Sequence, residues 1–244
     1  MPKNALSDFT SEPNINSFIF SFIFQDPLTS LNPLMKIGSQ ITEAVREKCS
    51  KKEKNQIALS LMNQLEISDP EKRIKQYPHE LSGGMRQRIL IAIALAKNPD
   101  IIIADEPATA LDRRTKLHMI ELLKSFCSRS NKTVIYITHD LASVREFADK
   151  ILIMYAGKII ESGPSLSVLD MPKHPYSKKL LDLVDRKIND DGKLPFIKGQ
   201  TPLPTEYPVG CRFHPRCHLS EESCKKKTPE IIGSDAHWWM CPIV

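Results

Sequence analysis

The stretch IIIADEP at residues 101–107 decides the fold, because it is a continuous apolar run closed by two carboxylates, Asp105 and Glu106. A run this short and apolar indicates an interior strand of a parallel sheet that is covered on both faces. The end of such a strand is an unfavourable place for a carboxylate unless a cation or a proton donor lies nearby. The two acids therefore mark a candidate site at one edge of the sheet.

The flanking segments alternate between strand-like and helix-like patterns. Upstream, Phe18–Phe24 predicts a buried strand, and the apolar run after Ser82 predicts a buried helix that starts at that serine. Downstream, the pattern predicts helix 113–129, strand 133–138, helix 141–148 and strand 151–154. This alternation indicates an α/β fold built from βαβ units around a parallel sheet.

Composition narrows the possible classes of protein. The 244 residues suffice for one full domain and part of a second. The net charge of +5 is spread along the chain, so we expect a solvated surface and no nucleic-acid partner. The apolar stretch 18–24 is far shorter than the roughly 20 residues of a membrane-spanning helix, and no secretion signal is recognisable at the start. We expect a cytosolic protein.

The motif LSGGMRQR at residues 81–88 adds a candidate phosphate site. Glycines at 83 and 84 would let backbone N–H groups approach a phosphate closely, and the positive end of the helix dipole would attract it. The Ser82 hydroxyl could donate to the same oxygens. Alone, Ser-Gly-Gly is typical of a flexible turn, so its specificity depends on the motifs that accompany it.

Four motifs in this order resemble the nucleotide-binding domain of ATP-binding cassette (ABC) transporters: Gln25, LSGGMRQR, IIIADEP and His139. The resemblance runs from Phe18 to about Gly163. It implies a P-loop NTPase-type parallel sheet with a helical subdomain at about residues 34–98, within a nucleotide-binding domain at 18–164. Residues 1–17 have no apolar period, and we expect them to be a disordered leader.

The resemblance assigns roles to residues of this chain. It implies that nucleotide is contacted by the signature motif, the first acid and the loop Ala110-Leu111-Asp112, that is by Ser82, Gly83, Gly84, Gln87, Asp105 and Asp112. The signature grips ATP held by the opposite subunit of a dimer. Asp105 and Gln25 would hold Mg²⁺. Catalysis would fall to Glu106 as general base, His139 and Gln25.

A P-loop of the form Gly-x-x-x-x-Gly-Lys-Ser/Thr does not occur in these 244 residues. In the family it precedes the glutamine at position 25 by some tens of residues. We therefore expect an N-terminally truncated domain that binds ATP poorly by itself, yet can still complete the ATP site of a partner. The alternative is a non-catalytic remnant or split-gene fragment.

The last part of the chain, residues 165–244, is rich in proline and carries Cys211, Cys217, Cys224 and Cys241 with five, six and sixteen residues between them. We expect an irregular extension with one helix near 176–185. It resembles the C-terminal region of oligopeptide and dipeptide importer ATPases, some of which bind a [4Fe–4S] cluster. Four thiolates fit such a cluster. Zinc and unligated thiols remain alternatives.

Together the two resemblances imply an energising subunit of an ABC importer for peptides or related solutes. They imply three kinds of partner: a paralogous ABC ATPase, transmembrane permease subunits and an extracytoplasmic solute-binding protein. The expected location is the cytoplasmic face of the inner or plasma membrane. An ABC ATPase of DNA repair or translation would fit the ATP motifs equally well, but not the cysteine-rich extension.

Overall fold

A computed structural model describes residues 18–24, 30–107, 113–184 and 196–244. The chain divides into two compact units, Met1–His139 and Asp140–Val244, which are described separately. Among the described helices, none is both long enough and apolar enough to span a membrane. The predicted leader 1–17 lies outside the described residues, and the domain boundaries expected from the sequence stay a prediction.

The first unit contains a three-stranded parallel sheet of β1 (Phe20–Ile23), β2 (Ile101–Asp105) and β3 (Thr133–Ile137) in that order. Phe22, Ile103 and Ile135 are aligned across the three strands. The helices of this unit are α1 (Ile37–Ala44), α2 (Lys51–Gln64), α3 (Pro70–Arg73), α4 (Gly83–Ala96) and α5 (Arg113–Ser130), with a 3₁₀ turn at Pro78–Glu80. The predicted parallel α/β fold is confirmed.

One face of this sheet is packed. Strand β1 connects to β2 through a segment that ends in α4, and β2 connects to β3 through α5, so right-handed crossovers place both helices on the same face. The two helices contact each other. Ser21, which is fully buried, donates its hydroxyl to the carbonyl of Ala94 in α4 at 2.9 Å. Ile102 and Ala104 of β2 are buried on this side.

The opposite face is exposed within the described residues. Phe22 is 53% exposed, Ile135 48% and Ile137 49%. The prediction that 18–24 is a buried strand is therefore wrong for this side of the sheet, whereas Ile101 and Ile103 of β2 are half-buried there. The apolar pattern of a strand shows that its faces suit a dry environment, but it does not show which neighbours are there to cover them.

The small helical layer of the first unit is tightly packed around Gly38 of α1. Its backbone N–H donates to the carbonyl of Ile74 at 2.8 Å. A Cβ at this position would lie 2.5 Å from Cγ1 of Ile74 and 2.8 Å from that carbonyl oxygen. The absence of a side chain at Gly38 thus permits the close approach of α1 to the end of α3.

The second unit is built on a four-stranded sheet in the order β4-β5-β7-β6. Its strands are β4 (Lys150–Tyr155), β5 (Lys158–Pro164), β6 (Ile232–Gly233) and β7 (Trp238–Trp239). Its helices are α6 (Leu141–Phe147), α7 (Ser165–Asp170), α8 (Pro175–Val184) and α9 (Glu222–Lys226), with 3₁₀ turns at Pro204–Glu206 and His214–Arg216. The expectation of one helix in 165–244 is too low, because α7, α9 and two short strands also form there.

Aromatic rings fill the centre of the second unit. Tyr155 at the end of β4 contacts Tyr176 of α8 and Phe213, with ring centroids 4.7 and 5.2 Å apart. Phe213 is 1% exposed and His174 also 1%. The cysteine-bearing segment therefore joins a core that begins in the β4–β5 hairpin, and Cys211 and Cys217 pack against it.

Candidate functional site

The signature motif forms an open helix start in the first unit. Ser82 caps α4 by accepting a hydrogen bond from the backbone N–H of Met85 at 3.4 Å. Gly83, the first residue of the helix, is exposed, and a Cβ built there would have no atom within 4 Å. Neither Gly83 nor Gly84 has a positive φ. Neither protein packing nor the backbone conformation therefore requires glycine at position 83.

Gln87 behaves differently from the other signature residues. Its side chain is on the buried side of α4, with only 2% of the residue exposed. Its Nε2 atom is buried and makes no hydrogen bond among the described residues. Ser82 and Gly83 therefore lie together at the surface, whereas Gln87 is buried in the interior of the unit.

The two acids lie where the sequence predicts, at the carboxyl end of β2. Asp105 is the last residue of the strand and is exposed. Glu106 has a positive φ of 43°, and its backbone N–H donates to the carbonyl of Ile137 at 2.9 Å. This bond fixes Glu106 against the end of β3.

Glu106 and His139 form the most specific contact of this edge. Oε1 of Glu106 lies 2.7 Å from Nδ1 of His139. The histidine side chain is 73% exposed and the glutamate side chain 24% exposed. A carboxylate that accepts from an imidazole at a parallel-sheet edge can orient a water molecule and take up its proton.

Two predicted site residues lie outside the described part of the chain. Gln25 falls between residues 24 and 30, and Asp112 between 107 and 113. Their roles therefore rest on the sequence resemblance alone.

The four C-terminal cysteines lie in one region of the second unit, and all are free thiols. Cys211 is tied to Cys224 by a backbone N–H to carbonyl bond of 2.9 Å. Burial raises the pKa of the Cys211 thiol, and a hydrogen bond from the Phe213 backbone partly offsets this rise. Negative charge on the other three thiols raises the pKa further. Burial likewise raises the pKa values of Cys217 and Cys241.

These thiols supply the right donor type and number for a four-cysteine metal or cluster site. Their mutual electrostatic influence indicates that they share one neighbourhood. Within the described ranges, however, no group of three or more His, Cys, Asp or Glu side chains is close enough to hold a metal ion. The number and type of donors thus fit such a site, but the four thiols are not close enough together to coordinate one metal ion.

A buried polar cluster in the same unit was not predicted from the sequence. Glu161 of β5 is fully buried and accepts from the backbone N–H groups of Lys173 and His174 and from the ring of His237. A glutamate directly after the apolar pair Ile159-Ile160 was the available signal. Nothing in the sequence pattern, however, points to a partner 76 positions away.

Comparison with known proteins agrees with both motif sets. The family described as ABC transporter matches residues 8–109, and the family described as oligopeptide/dipeptide transporter, C-terminal region, matches residues 160–224. The dimeric ATP-binding cassette MJ0796 bound to ADP and Pi is similar in structure, with a TM-score of 0.53 and 32% identity over 61% of this chain and 63% of that one. CbiO1 from Clostridium perfringens has a TM-score of 0.56 and 25% identity over 62% and 59% of the two chains.

Sequence relatives are closer. The oligopeptide transport ATP-binding protein AppD of Bacillus subtilis is 44% identical over 87% of this chain and 65% of its own length. A putative peptide import ATP-binding protein of Brucella abortus is 42% identical over 91% and 68%. The dipeptide transport ATP-binding protein DppD of Escherichia coli is 42% identical over 86% and 65%. The chain thus spans about two thirds of the length of the relatives it matches.

The fold and the motif order define an ABC-type ATP-binding protein. Within that class, the chain belongs to the family of oligopeptide and dipeptide transport ATP-binding proteins.

Proposed function

We propose that the chain is an ATP-binding, energising subunit of an importer for oligopeptides, dipeptides or related solutes. The observation that carries this proposal is the start of α4, where Ser82 and Gly83 are exposed and the space over Gly83 is open. A capped helix N-terminus with unhindered backbone N–H groups suits the terminal phosphate of a nucleotide. In the proposed role it closes over ATP that is held by a paralogous ATPase subunit.

The edge formed by β2 and β3 would serve a second ATP. Asp105, exposed at the strand end, is the proposed Mg²⁺ ligand, and Glu106 the proposed general base. His139, which contacts Glu106, would hold the attacking water near the terminal phosphate. Gln25 and Asp112 complete the proposal as Mg²⁺ ligand and as the residue at the subunit interface.

The two ATP sites would differ in which residues this chain contributes to them. The site at Ser82 needs only the P-loop of the partner ATPase. The site at Glu106 needs a P-loop that does not occur in the 244 residues. The exposed apolar face of the β1–β3 sheet supports the idea that further protein covers it, since parallel sheets normally have both faces packed. We propose that these residues contribute the signature motif to one ATP site and the acidic edge to the other.

Transport requires membrane partners in this proposal. The relatives' names refer to peptide import and to oligopeptide and dipeptide transport. We therefore propose permease subunits and an extracytoplasmic binding protein as partners, and the cytoplasmic face of the membrane as the place of action.

The same proposal includes a [4Fe–4S] cluster on Cys211, Cys217, Cys224 and Cys241. The four free thiols of one region support it. Widely spaced cysteines suit zinc less well than paired Cys-x-x-Cys ligands do. Such a cluster would cross-link three segments of the C-terminal region, and its side chains would have to close around it.

ATP hydrolysis by the assembled complex tests the transport role. The chain is combined with its paralogous ATPase and the permease subunits in lipid vesicles, and hydrolysis is measured with and without the binding protein and peptide. We expect stimulation above the partner ATPase alone, together with very weak ATP binding by the isolated chain. No stimulation would favour the non-catalytic remnant, and sub-millimolar ATP binding by the isolated 244 residues would show that they hold ATP without a P-loop.

Metal content tests the cysteine site. The chain is incubated anaerobically with ferrous iron and sulfide, and in parallel with Zn²⁺, and bound metal and acid-labile sulfide are measured after desalting. We expect iron and sulfide to be retained in equal amounts, and Cys217→Ser to lose them. Cys127→Ser is the matched control, because Cys127 belongs to α5 of the other unit. Retention of zinc alone would replace the cluster by a zinc site.

A further inference from the structure

Glu161 of β5 carries a fully buried carboxylate with three hydrogen-bond donors. Oε1 accepts from the backbone N–H of Lys173 at 2.8 Å and from Nε2 of His237 at 2.9 Å. Oε2 accepts from the backbone N–H of His174 at 2.9 Å. A buried carboxylate is unfavourable unless it is hydrogen-bonded, and three donors converge on this one.

The donors belong to distant parts of the chain. Lys173 and His174 lead into α8, whereas His237 belongs to the C-terminal hairpin, defined here as residues 231–244. Strand β7 of this hairpin contains only two residues, Trp238 and Trp239, which pair with Ser162 and Glu161 of β5. So short a strand pairing holds weakly by itself. Hydrogen bonds to a buried carboxylate are among the stronger ones in proteins.

Packing also holds the ring of His237 in place. A Cβ on Gly163 would lie 2.8 Å from Cδ2 of its ring, so the glycine provides the space that the ring occupies. On its other side the ring makes an edge contact with Trp239, with centroids 5.6 Å apart. The ring is thus held between β5 and β7, with its nitrogen directed at Glu161.

The hairpin carries the fourth cysteine. Directly after β7, the backbone N–H of Met240 donates to the carbonyl of Ile160 at 2.8 Å, and the next residue is Cys241. Cys241 is 6% exposed, and its thiol is influenced by those of Cys217 and Cys224. The other three cysteines lie on the segment 211–224, which is linked internally by its own backbone bond. Cys241 therefore depends on the docking of the hairpin, whereas the other three do not.

We propose that Glu161 is the positioning residue of the four-cysteine region: its bond to His237 seats the hairpin on β5 and so brings Cys241 to Cys211, Cys217 and Cys224. The inference deepens the proposed cluster site and rests on it for the identity of the ligand. The docking itself is a property of the metal-free chain and can be measured there.

Alkylation of the metal-free chain tests the docking. The full 244-residue protein, with its cysteines reduced, reacts with N-ethylmaleimide under native conditions, and the rate at each cysteine is followed by peptide mass spectrometry. In Glu161→Gln the amide group offers one acceptor oxygen to three donors and turns an N–H₂ towards one of them. We expect the rate at Cys241 to rise about tenfold or more, because opening of the hairpin becomes easier.

Cys127 reports on unfolding of the first unit in the same sample. It is 5% exposed, and burial raises its pKa to about 11, so it reacts slowly while the first unit is folded. We expect its rate to stay unchanged in Glu161→Gln. A parallel rise at Cys127, or no rise at Cys241, would overturn the proposal.

Two variants of His237 separate the hydrogen bond from the packing. His237→Phe keeps a flat ring beside Gly163 but removes the donor, and should expose Cys241 as Glu161→Gln does. His237→Gln places an amide donor close to the position of Nε2, and alkylation of Cys241 in this variant should stay as slow as in the native chain. If His237→Phe protects Cys241 as well as the native residue does, the bond to Glu161 does not position the hairpin.

Reconstitution with ferrous iron and sulfide links the docking to the site. If the native chain retains iron and sulfide, Glu161→Gln should retain at most about a third as much, because one ligand of four is mobile. If the native chain retains none, the proposed cluster fails, while the alkylation rates still decide the role of Glu161.

Discussion

Glu106 and His139 meet across the ends of two neighbouring parallel strands, with Oε1 of the acid 2.7 Å from Nδ1 of the imidazole. The contact is possible because Asp105 of β2 is in register with Ile137 of β3, so both strands end at the same level. The backbone bond from Glu106 to Ile137 fixes the turn that directs the acid towards the histidine. The residues of the proposed hydrolytic pair therefore both belong to the first unit.

Glu106→Gln should lower ATP hydrolysis by the reconstituted complex at least about tenfold, because an amide cannot take up the proton of the attacking water. Hydrolysis is measured on complexes that contain either form of the chain. A rate within about twofold of the native one would contradict the proposed role of Glu106 as general base.

Gly83→Ala should separate folding from function. A methyl group at this position meets no atom within 4 Å, and alanine favours helix, so the free energy of unfolding should stay the same or rise by up to about 1 kcal/mol. The methyl group would, however, occupy the space that a phosphate needs. We expect hydrolysis by the complex to fall at least about tenfold, measured beside a urea unfolding curve of the same variant. Full activity would show that no ligand approaches Gly83.

Gly38→Ala is the matched substitution with the opposite expectation for stability. The added methyl group would lie 2.5 Å from Cγ1 and 2.8 Å from the carbonyl oxygen of Ile74, and the backbone cannot yield without loss of the Gly38–Ile74 hydrogen bond. We expect the free energy of unfolding in urea to fall by about 1–3 kcal/mol. A variant as stable as Gly83→Ala would contradict the packing described for α1 and α3.

His174 should make the second unit sensitive to acid. Burial lowers its pKa to about 4 from an ordinary 6.5, against the opposing charge of Glu161. Between these values the unfolded chain binds a proton that the folded chain does not. Above pH 6.5 His174 is neutral in both states and costs no stability. As the pH drops towards 4, proton binding to the unfolded chain lowers the free energy of unfolding, by about 3 kcal/mol in all.

Urea unfolding from neutral pH to about pH 4.5 tests this dependence. His174→Asn is the control, because its side-chain oxygen can still accept from the backbone N–H of Tyr176, as Nδ1 of His174 does at 3.0 Å. The asparagine variant should lose less stability on acidification than the native chain. Parallel pH profiles for the two proteins would show that His174 is not the titrating group.

The sequence predicted the elements whose signals are local. The helix that starts at Ser82 and the strand that ends at Asp105 follow from a cap, a run of apolar residues and a change of polarity, and both are confirmed. The contact between Glu106 and His139 follows from the parallel arrangement of their strands. These features need only neighbouring residues and one topological rule.

Long-range pairing could not be predicted in this way. The bond between Glu161 and His237 joins residues 76 positions apart, and β7 has two residues, too few for a periodic pattern. A strand's own sequence also does not show which segments pack on its faces. The exposure of Phe22 and Ile135 was therefore not predicted. Burial depends on which other segments are present, and a strand's composition does not encode that.

The exposed face of the β1–β3 sheet also has a consequence for the life of the protein in a cell. A row of phenylalanine and isoleucine side chains open to water is the kind of surface that chaperones bind and that leads to degradation by proteases. A molecule whose β1–β3 face stayed uncovered would therefore be lost to aggregation or proteolysis faster than one whose face is covered. The amount of protein that persists in a cell would then be set by how quickly this face is covered.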